Sequence, residues 1–145
     1  MRGADTSGTL EVTPTDSDLF VLSQIFGWRE YATDNATAHQ LHRVSADWKA
    51  NGISPFIIDG GDNVGYSALF FAELFPEATI VALEPDPKAF VRLCRNCQGH
   101  PKIKPVQAAL WRDANGVRLR RASTGHGRII LDEMAWKSRP RPCVL

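Results

Sequence analysis

Acidic and small residues alternate in one short run of the sequence, Asp59-x-Gly61-x-Asn63-x-Gly65. The run directly follows Phe56–Ile58, an apolar stretch of the kind that forms a buried parallel strand. Ligands of doubly wound sheets bind beyond the carboxyl ends of the strands, so this turn is a candidate binding site. Its glycines allow close backbone approach or positive φ, and the asparagine tolerates unusual φ while offering a donor and an acceptor.

The spacing and the charge of this turn indicate the kind of ligand. A dinucleotide fingerprint requires G-x-G-x-x-G, and neither Gly60 nor Gly61 starts such a run, because Asp62 or Asn63 fills the third position. Carboxylates at Asp59 and Asp62 would also repel a pyrophosphate bound at a helix N-terminus. The spacing suits the nucleoside-binding turn of Rossmann-like methyltransferases, and the carboxylates suit the cationic sulfonium and amino groups of S-adenosylmethionine.

A second acid follows the next predicted strand. Glu84 comes after the β-branched, apolar stretch Thr79–Leu83, 25 residues beyond Asp59. A carboxylate in that place can accept hydrogen bonds from both hydroxyls of a ribose, each worth about 1.5–3 kcal/mol. Either feature alone is common in α/β proteins with a purely structural role. Two of them at successive strand ends predict a nucleoside-type ligand.

Strands and helices alternate along the part of the chain that carries these residues. The predicted strands cover residues 56–59, 79–83 and 103–110, and the predicted helices cover residues 65–75 and 87–97. Asp86 and Pro87 are typical of an N-cap followed by a first helical position. This alternation predicts right-handed βαβ units and a parallel sheet, hence an α/β fold.

The flanking regions are predicted with fewer signals. Upstream we expect a short strand at residues 10–12 and helices at 17–26 and 36–50. Downstream we expect residues 117–119 to pair back as a hairpin after a turn at 113–116, and another strand at 129–131. Asp132 and Glu133 are interpreted as a helix start.

Composition excludes several classes of protein. No apolar run approaches the roughly 20 residues of a membrane span, and residues 1–9 lack a signal-peptide pattern, so we expect a cytoplasmic protein without membrane contact. Residues 112–145 contain 8 basic and 3 acidic side chains and no aromatic residue other than Trp136, which favours a solvated tail over a nucleic-acid site.

The three cysteines indicate neither a disulfide framework nor a metal site. Their number is small and odd, and Cys94-x-x-Cys97 has no further ligands at zinc spacing. Cysteines three residues apart on a helix are more often packed as apolar side chains. We therefore expect no metal and a place in the core for Cys94 and Cys97.

Residues 10–133 resemble the FkbM family of S-adenosylmethionine-dependent methyltransferases. The strongest stretches run from Ile57 to Ser67, from Val81 to Pro87, and over Leu93-x-x-Asn96. The glutamate-proline-aspartate-proline run beside the glycine turn is the most specific part. Ala108-Ala109-Leu110 followed by Asp113-x-x-Gly116 also fits the family's third strand and turn.

The resemblance implies a Rossmann-like class I methyltransferase fold with three α/β/α layers and methyl transfer to an oxygen, usually a hydroxyl of a sugar or another small molecule. It carries over the following cofactor contacts. Asp59, Gly61, Asn63 and Gly65 would line the methionine and ribose part, Glu84 would hold the ribose, and Ala108 would lie near adenine through its backbone. It assigns no catalytic base.

The chain departs from the family in two respects. Asp62 replaces a usually small residue, and nothing after Glu133 resembles the family's later strands. We therefore expect a fold that is incomplete at its C-terminus. The expected parts are a disordered segment 1–9, lead-in helices 10–54, a cofactor-binding half-domain 55–133 and a basic, proline-containing tail 134–145.

An incomplete sheet has further consequences. Its open edge favours self-association, and the chain alone is expected to be inactive. Three alternatives stay open: a fragment that at most binds the cofactor, another nucleotide-binding Rossmann enzyme, and a basic-tailed nucleic-acid-binding module, which no motif supports.

Overall fold

The computed structural model describes residues 10–13, 18–27, 35–111, 117–121, 129–133 and 141–142. Its elements, in chain order, are α1 (Asp18–Leu22), a π-helical turn (Ser23–Gly27), α2 (Asn35–Ala50), β1 (Phe56–Gly60), α3 (Tyr66–Leu74), β2 (Thr79–Leu83), α4 (Pro87–Asn96), β3 (Ile103–Gln107), β4 (Val117–Arg121), β5 (Ile129–Glu133) and β6 (Arg141–Pro142). None of the described helices is long and apolar enough to cross a membrane.

The main sheet has the order β1-β2-β3-β6. β1, β2 and β3 are parallel, and their register places Gly60 opposite Leu83 and Leu83 opposite Val106. The three carboxyl ends therefore lie along one edge of the sheet, which brings the candidate residues after each strand into the same region. The predicted α/β, Rossmann-like fold is confirmed.

The core lies between one face of this sheet and the helices α3 and α4. Both crossovers step in the same direction across the sheet, so right-handed connections place both helices on the same face. The buried side chains of this cluster are Ala68, Leu69, Phe75, Ala78, Ile80, Ala82, Phe90, Leu93, Cys94, Cys97 and Ile103. The predicted core positions of Cys94 and Cys97 are confirmed.

The opposite face of the sheet is open in the described part of the chain. Phe56 is 65% exposed and Ile58 is 56% exposed, whereas Ile57 between them packs against the core. The prediction that β1 is buried on both faces is therefore wrong. In α/β proteins, a helical layer on each side buries both faces of a parallel sheet. The described residues supply the sheet and one of these two layers.

The N-terminus of α4 is capped as the sequence predicts. The Asp86 carboxylate accepts hydrogen bonds from the backbone N–H groups of Lys88 at 2.6 Å and Ala89 at 3.3 Å. Asp86→Ala leaves both donors without this acceptor, and we expect it to lower the free energy of unfolding by about 1 kcal/mol. Urea unfolding measures the loss, with the exposed Lys88→Ala as the control. An unchanged midpoint in Asp86→Ala would contradict the assignment.

Four predictions about the flanking regions are wrong. Residues 10–12 form no strand, and β4 pairs with β5 rather than folding back on β3. Asp132 and Glu133 belong to strand β5 instead of starting a helix. Arg141 and Pro142, expected in a tail, pair with β3 as an edge strand, the position in a sheet that tolerates a residue without an N–H.

The two helical cysteines differ from each other in the structure, and some predicted features lie outside the described residues. Cys94 also takes part in a disulfide, which the count of cysteines did not predict, whereas Cys97 is free. The segment 1–9, the first residue of the helix predicted at 17–26 and the turn at 113–116 lie outside the described residues.

Candidate functional site

The turn after β1 takes its shape from left-handed backbone conformations. Gly61, Asn63 and Gly65 have φ values of 84°, 58° and 98°. The resulting fold brings the N–H groups of Gly61 and Asp62 to the carbonyl of Leu83, at 2.8 and 3.1 Å. The turn is thereby fastened to the end of β2, and the predicted need for glycine and asparagine is confirmed.

Glu84 connects the ends of β1 and β2. Its side chain is buried, and its two oxygens accept the backbone N–H groups of Asn63 at 2.9 Å and Asp86 at 2.7 Å. Burial raises the pKa of Glu84, and these two hydrogen bonds oppose the rise. Each carboxylate oxygen can accept more than one hydrogen bond, so Glu84 can accept further hydrogen bonds in addition to these two.

Asp62, the departure from the family pattern, occupies the N-terminus of α3. One oxygen accepts from the Ser67 hydroxyl at 2.6 Å and from the Ala68 N–H at 3.3 Å. The N-cap residue itself is Gly65, which has no side chain to do this. Burial and the neighbouring charge of Asp59 raise the pKa of Asp62 to about 7.

Two carboxylate oxygens in this turn have no partner among the described residues. They are one oxygen each of Asp59 and Asp62, and both are inaccessible to solvent. Buried acceptors without a donor are costly. A proton or a cationic group bound at the turn would satisfy them, so this side of the site favours a ligand with positive charge.

The backbone of the turn offers little to an anion. The N–H groups of Gly61 and Asp62 donate to Leu83, that of Asn63 donates to Glu84, and that of Gly65 donates to the Asp62 carbonyl at 3.2 Å. The N-terminus of α3 already holds the Asp62 carboxylate. A pyrophosphate binds where such groups are free, and these four N–H groups are already engaged.

Ala108 completes the set of predicted residues at the end of β3. Its N–H donates to the carbonyl of Val106 at 2.9 Å, and its side chain is half-buried. Hydrogen bonds join the turn to Glu84, whereas Ala108 is brought to the same edge by the strand register alone. The roles of all six predicted residues in binding stay predictions.

Sequence reasoning missed two side chains that shape the turn. Ser67 donates to Asp62, and Asn96 on α4 donates to the carbonyl of Val64 at 2.7 Å. The sequence pattern Leu93-x-x-Asn96 includes Asn96 but predicted no role for its side chain. Behind the turn, burial and the charges of Asp62 and Asp59 raise the pKa of Cys97 to about 12, so this residue stays a thiol.

The described residues provide no metal site, and two surface clefts lie away from the six predicted residues. The described residues contain no group of three or more histidine, cysteine, aspartate or glutamate side chains that could hold a metal ion. A surface cleft of about 850 Å³ lies along α2, and one of about 370 Å³ lies between Phe26, His42 and Phe70. None of the six predicted residues is among those lining these clefts.

Comparisons with known proteins give partial matches. No family model matches the chain. Methyltransferase 1 of Beauveria bassiana (strain ARSEF 2860) is 40% identical over 53 residues, which cover 37% of this chain and 21% of that protein. Methyltransferase sdnD of Sordaria araneosa is 36% identical over 55 residues, or 38% and 21% of the two chains. The matches thus span about a fifth of each relative's length.

One solved structure, assigned as a caffeoyl-CoA O-methyltransferase from Staphylococcus aureus, aligns with a TM-score of 0.35 and 19% identity, over 60% of this chain and 47% of that one. The sequence matches relate the chain to methyltransferases without identifying the FkbM family.

Proposed function

We propose that this chain carries the cofactor-binding part of an S-adenosylmethionine-dependent methyltransferase of the FkbM type. The observation that carries the proposal is a pair of buried carboxylate oxygens, one each of Asp59 and Asp62, that have no partner among the described residues. The N–H groups of Gly61, Asp62, Asn63 and Gly65 in the same turn donate inward. Such a turn repels a pyrophosphate and attracts a cation. The similarity to two proteins named methyltransferase supports the same reading.

Each predicted residue has a place in this proposal. Asp59 would accept a hydrogen bond from the cofactor's ammonium group, and the remaining acceptor capacity of Glu84 would serve the ribose. Apart from the neighbours of Gly61 in the chain, no described residue lies within 4 Å of the position that a Cβ would occupy there, which leaves room for a ligand beside its backbone. Ala108 would contact adenine through its backbone.

The proposed acceptor is a hydroxyl of a small molecule or sugar. The bound cofactor would supply a methyl group activated by positively charged sulfur. In-line transfer of this kind depends mostly on how the two reactants are aligned. The described residues account for the proposed cofactor site.

Asp59→Asn tests the proposal most directly. The substitution keeps the size of the side chain and removes its charge, so we expect the affinity for S-adenosylhomocysteine to fall about 10- to 150-fold, the equivalent of one charge-assisted hydrogen bond. Calorimetric titration measures the dissociation constants. Glu77→Gln is the matched control, because Glu77 is an exposed carboxylate that pairs with Lys102 on the surface.

The same titrations separate the alternatives. NAD⁺ should not bind the wild-type chain, and tight NAD⁺ binding would favour another Rossmann enzyme. A folded wild-type chain that binds no S-adenosylhomocysteine would refute the proposed function. Equal affinity in Asp59→Asn and wild type would leave binding intact but remove Asp59 from the site.

A further inference from the structure

Residues 10–13, the N-terminal brace, lie against α4 although they form no strand. The backbone of Glu11 is held on both sides: its N–H donates to the Asn96 side chain at 2.7 Å, and its carbonyl accepts from Tyr66 at 3.2 Å and Arg92 at 3.1 Å. The side-chain N–H of Asn96 donates to the same carbonyl over a longer distance of 3.5 Å. Asn96 thus pairs with Glu11 much as a strand neighbour would.

Further contacts hold the brace in place. The Thr13 N–H donates to the buried Asp18 carboxylate at 2.9 Å, and Asp18 forms an ion pair with Arg92. Leu10 and Val12 pack against the small core cluster of Ile25, Val64, Tyr66 and Phe70. The brace is therefore anchored both by polar groups and by apolar contacts.

The same Asn96 amide reaches the candidate site. Its N–H donates to the carbonyl of Val64 at 2.7 Å, while the N–H of the same peptide group, that of Gly65, donates to the Asp62 carbonyl at 3.2 Å. The peptide between Val64 and Gly65 is thus held from both sides. Asn63 and Gly65, the residues on either side of Val64, both have left-handed backbone conformations, so the orientation of this peptide determines the path of the turn.

This peptide needs outside contacts to keep its orientation. A non-glycine residue with positive φ, here Asn63 at 58°, is held in a sparsely populated conformation and persists only where the surroundings over-determine it. Asn96 is 7% exposed, and a replacement that removes its amide leaves the Val64 carbonyl and the Glu11 N–H without their partner.

We propose that Asn96 is a positioning residue for cofactor binding, which holds the Val64–Gly65 peptide against the N-terminal brace and so preorganises the turn. The inference rests on the proposed function. A preformed turn binds its ligand without having to be ordered, so loss of this contact lowers affinity although Asn96 acts only through Val64.

The test compares Asn96→Ser with Tyr66→Phe. The first removes the amide that joins the brace to the turn, and the second removes one hydrogen bond to the brace and leaves the Val64 contact in place. We expect Asn96→Ser to weaken S-adenosylhomocysteine binding at least tenfold and Tyr66→Phe to weaken it less than twofold, measured by calorimetry where both variants are folded. Asn96→Asp, which keeps the acceptor for Glu11 and loses the donor to Val64, takes the place of Asn96→Ser if that variant does not fold.

Hydrogen exchange in the ligand-free chain provides a second, independent measurement. In Asn96→Ser we expect the Gly65 amide to exchange at least tenfold faster relative to the Cys97 amide of α4, with no such change in Tyr66→Phe. Equal affinities in wild type and Asn96→Ser, or unchanged exchange at Gly65, would overturn the role of Asn96 while leaving the proposed function in place. A folded wild-type chain without binding would overturn both.

Discussion

Asp62→Asn is expected to stabilise the chain at pH 8. The wild-type chain is expected to lose stability as the pH rises from 5 to 8, and the substitution should remove most of that loss. The pKa of Asp62 lies at about 7 in the folded chain instead of 3.8, because the side chain is buried and lies near Asp59. Between these values the folded chain keeps a proton that the unfolded chain has lost. Stability therefore falls as the pH rises through this window, by about 2–3 kcal/mol between pH 5 and pH 7.

Asparagine keeps the structural contacts of the residue without its charge. Its side-chain oxygen can accept from Ser67 and Ala68 as the carboxylate does, and its N–H₂ supplies a donor near Asp59. Urea unfolding at pH 5 and pH 8 measures the effect, with Glu73→Gln, an exposed carboxylate on the same helix, as the control. If the wild-type chain were equally stable at both pH values, the buried charge would be without cost and the prediction wrong.

Gly65→Ala is expected to destabilise the chain by about 2–5 kcal/mol, from two costs that add. A Cβ at this position would lie 3.0 Å from the Cys97 sulfur and 3.1 Å from a methyl carbon of Leu93. Overpacking of a core costs about 1–3 kcal/mol, and the left-handed backbone at φ 98° costs a residue with a Cβ about 1–2 kcal/mol more.

Two other glycines separate these costs. Gly61 has φ 84° but nothing within 4 Å of the Cβ position, so Gly61→Ala should lose only the conformational part, about 1–2 kcal/mol. Gly99 has neither restriction, and Gly99→Ala should be close to neutral. Denaturant unfolding gives the order of the three variants. A loss in Gly61→Ala as large as in Gly65→Ala would show that packing on α4 contributes nothing.

The elements that carry the candidate site were predictable because local signals agreed there. β2 spans the predicted residues 79–83, and α4 begins at the predicted Pro87 after the Asp86 cap. A continuous apolar, β-branched run and proline or glycine punctuation mark these boundaries directly in the sequence. The left-handed conformations in the turn followed from the residue types that tolerate them.

Side-chain partners were not predictable in the same way. From its position, the Asp62 carboxylate is expected to provide charge for a ligand, whereas in the structure one of its oxygens caps α3 by accepting hydrogen bonds from Ser67 and Ala68. Glu84, predicted to hold a ribose, already accepts two backbone N–H groups. Each of these contacts depends on how the turn folds back on the strand ends, which residue spacing does not reveal.

The regions outside the βαβ units were predicted less well because residue type does not indicate which segments they contact. Residues 10–12 have strand-like composition, yet they bind side chains of α3 and α4 instead of another strand. β4 pairs with the next strand, β5, and not with β3 before it. The strand at 141–142 has only two residues, too few to leave a pattern in the sequence.

The N-terminal brace also sets an order of events during folding. β1 and β2 pair residues 23 positions apart, Phe56 with Thr79, and β2 and β3 pair Ile80 with Ile103 at the same separation. The contact between Glu11 and Asn96 spans 85 positions and closes a much longer loop. Because short loops close at a lower entropic cost, the three strands are expected to assemble before the brace docks. The glycine turn would then reach its final form late, after the sheet that carries it is complete.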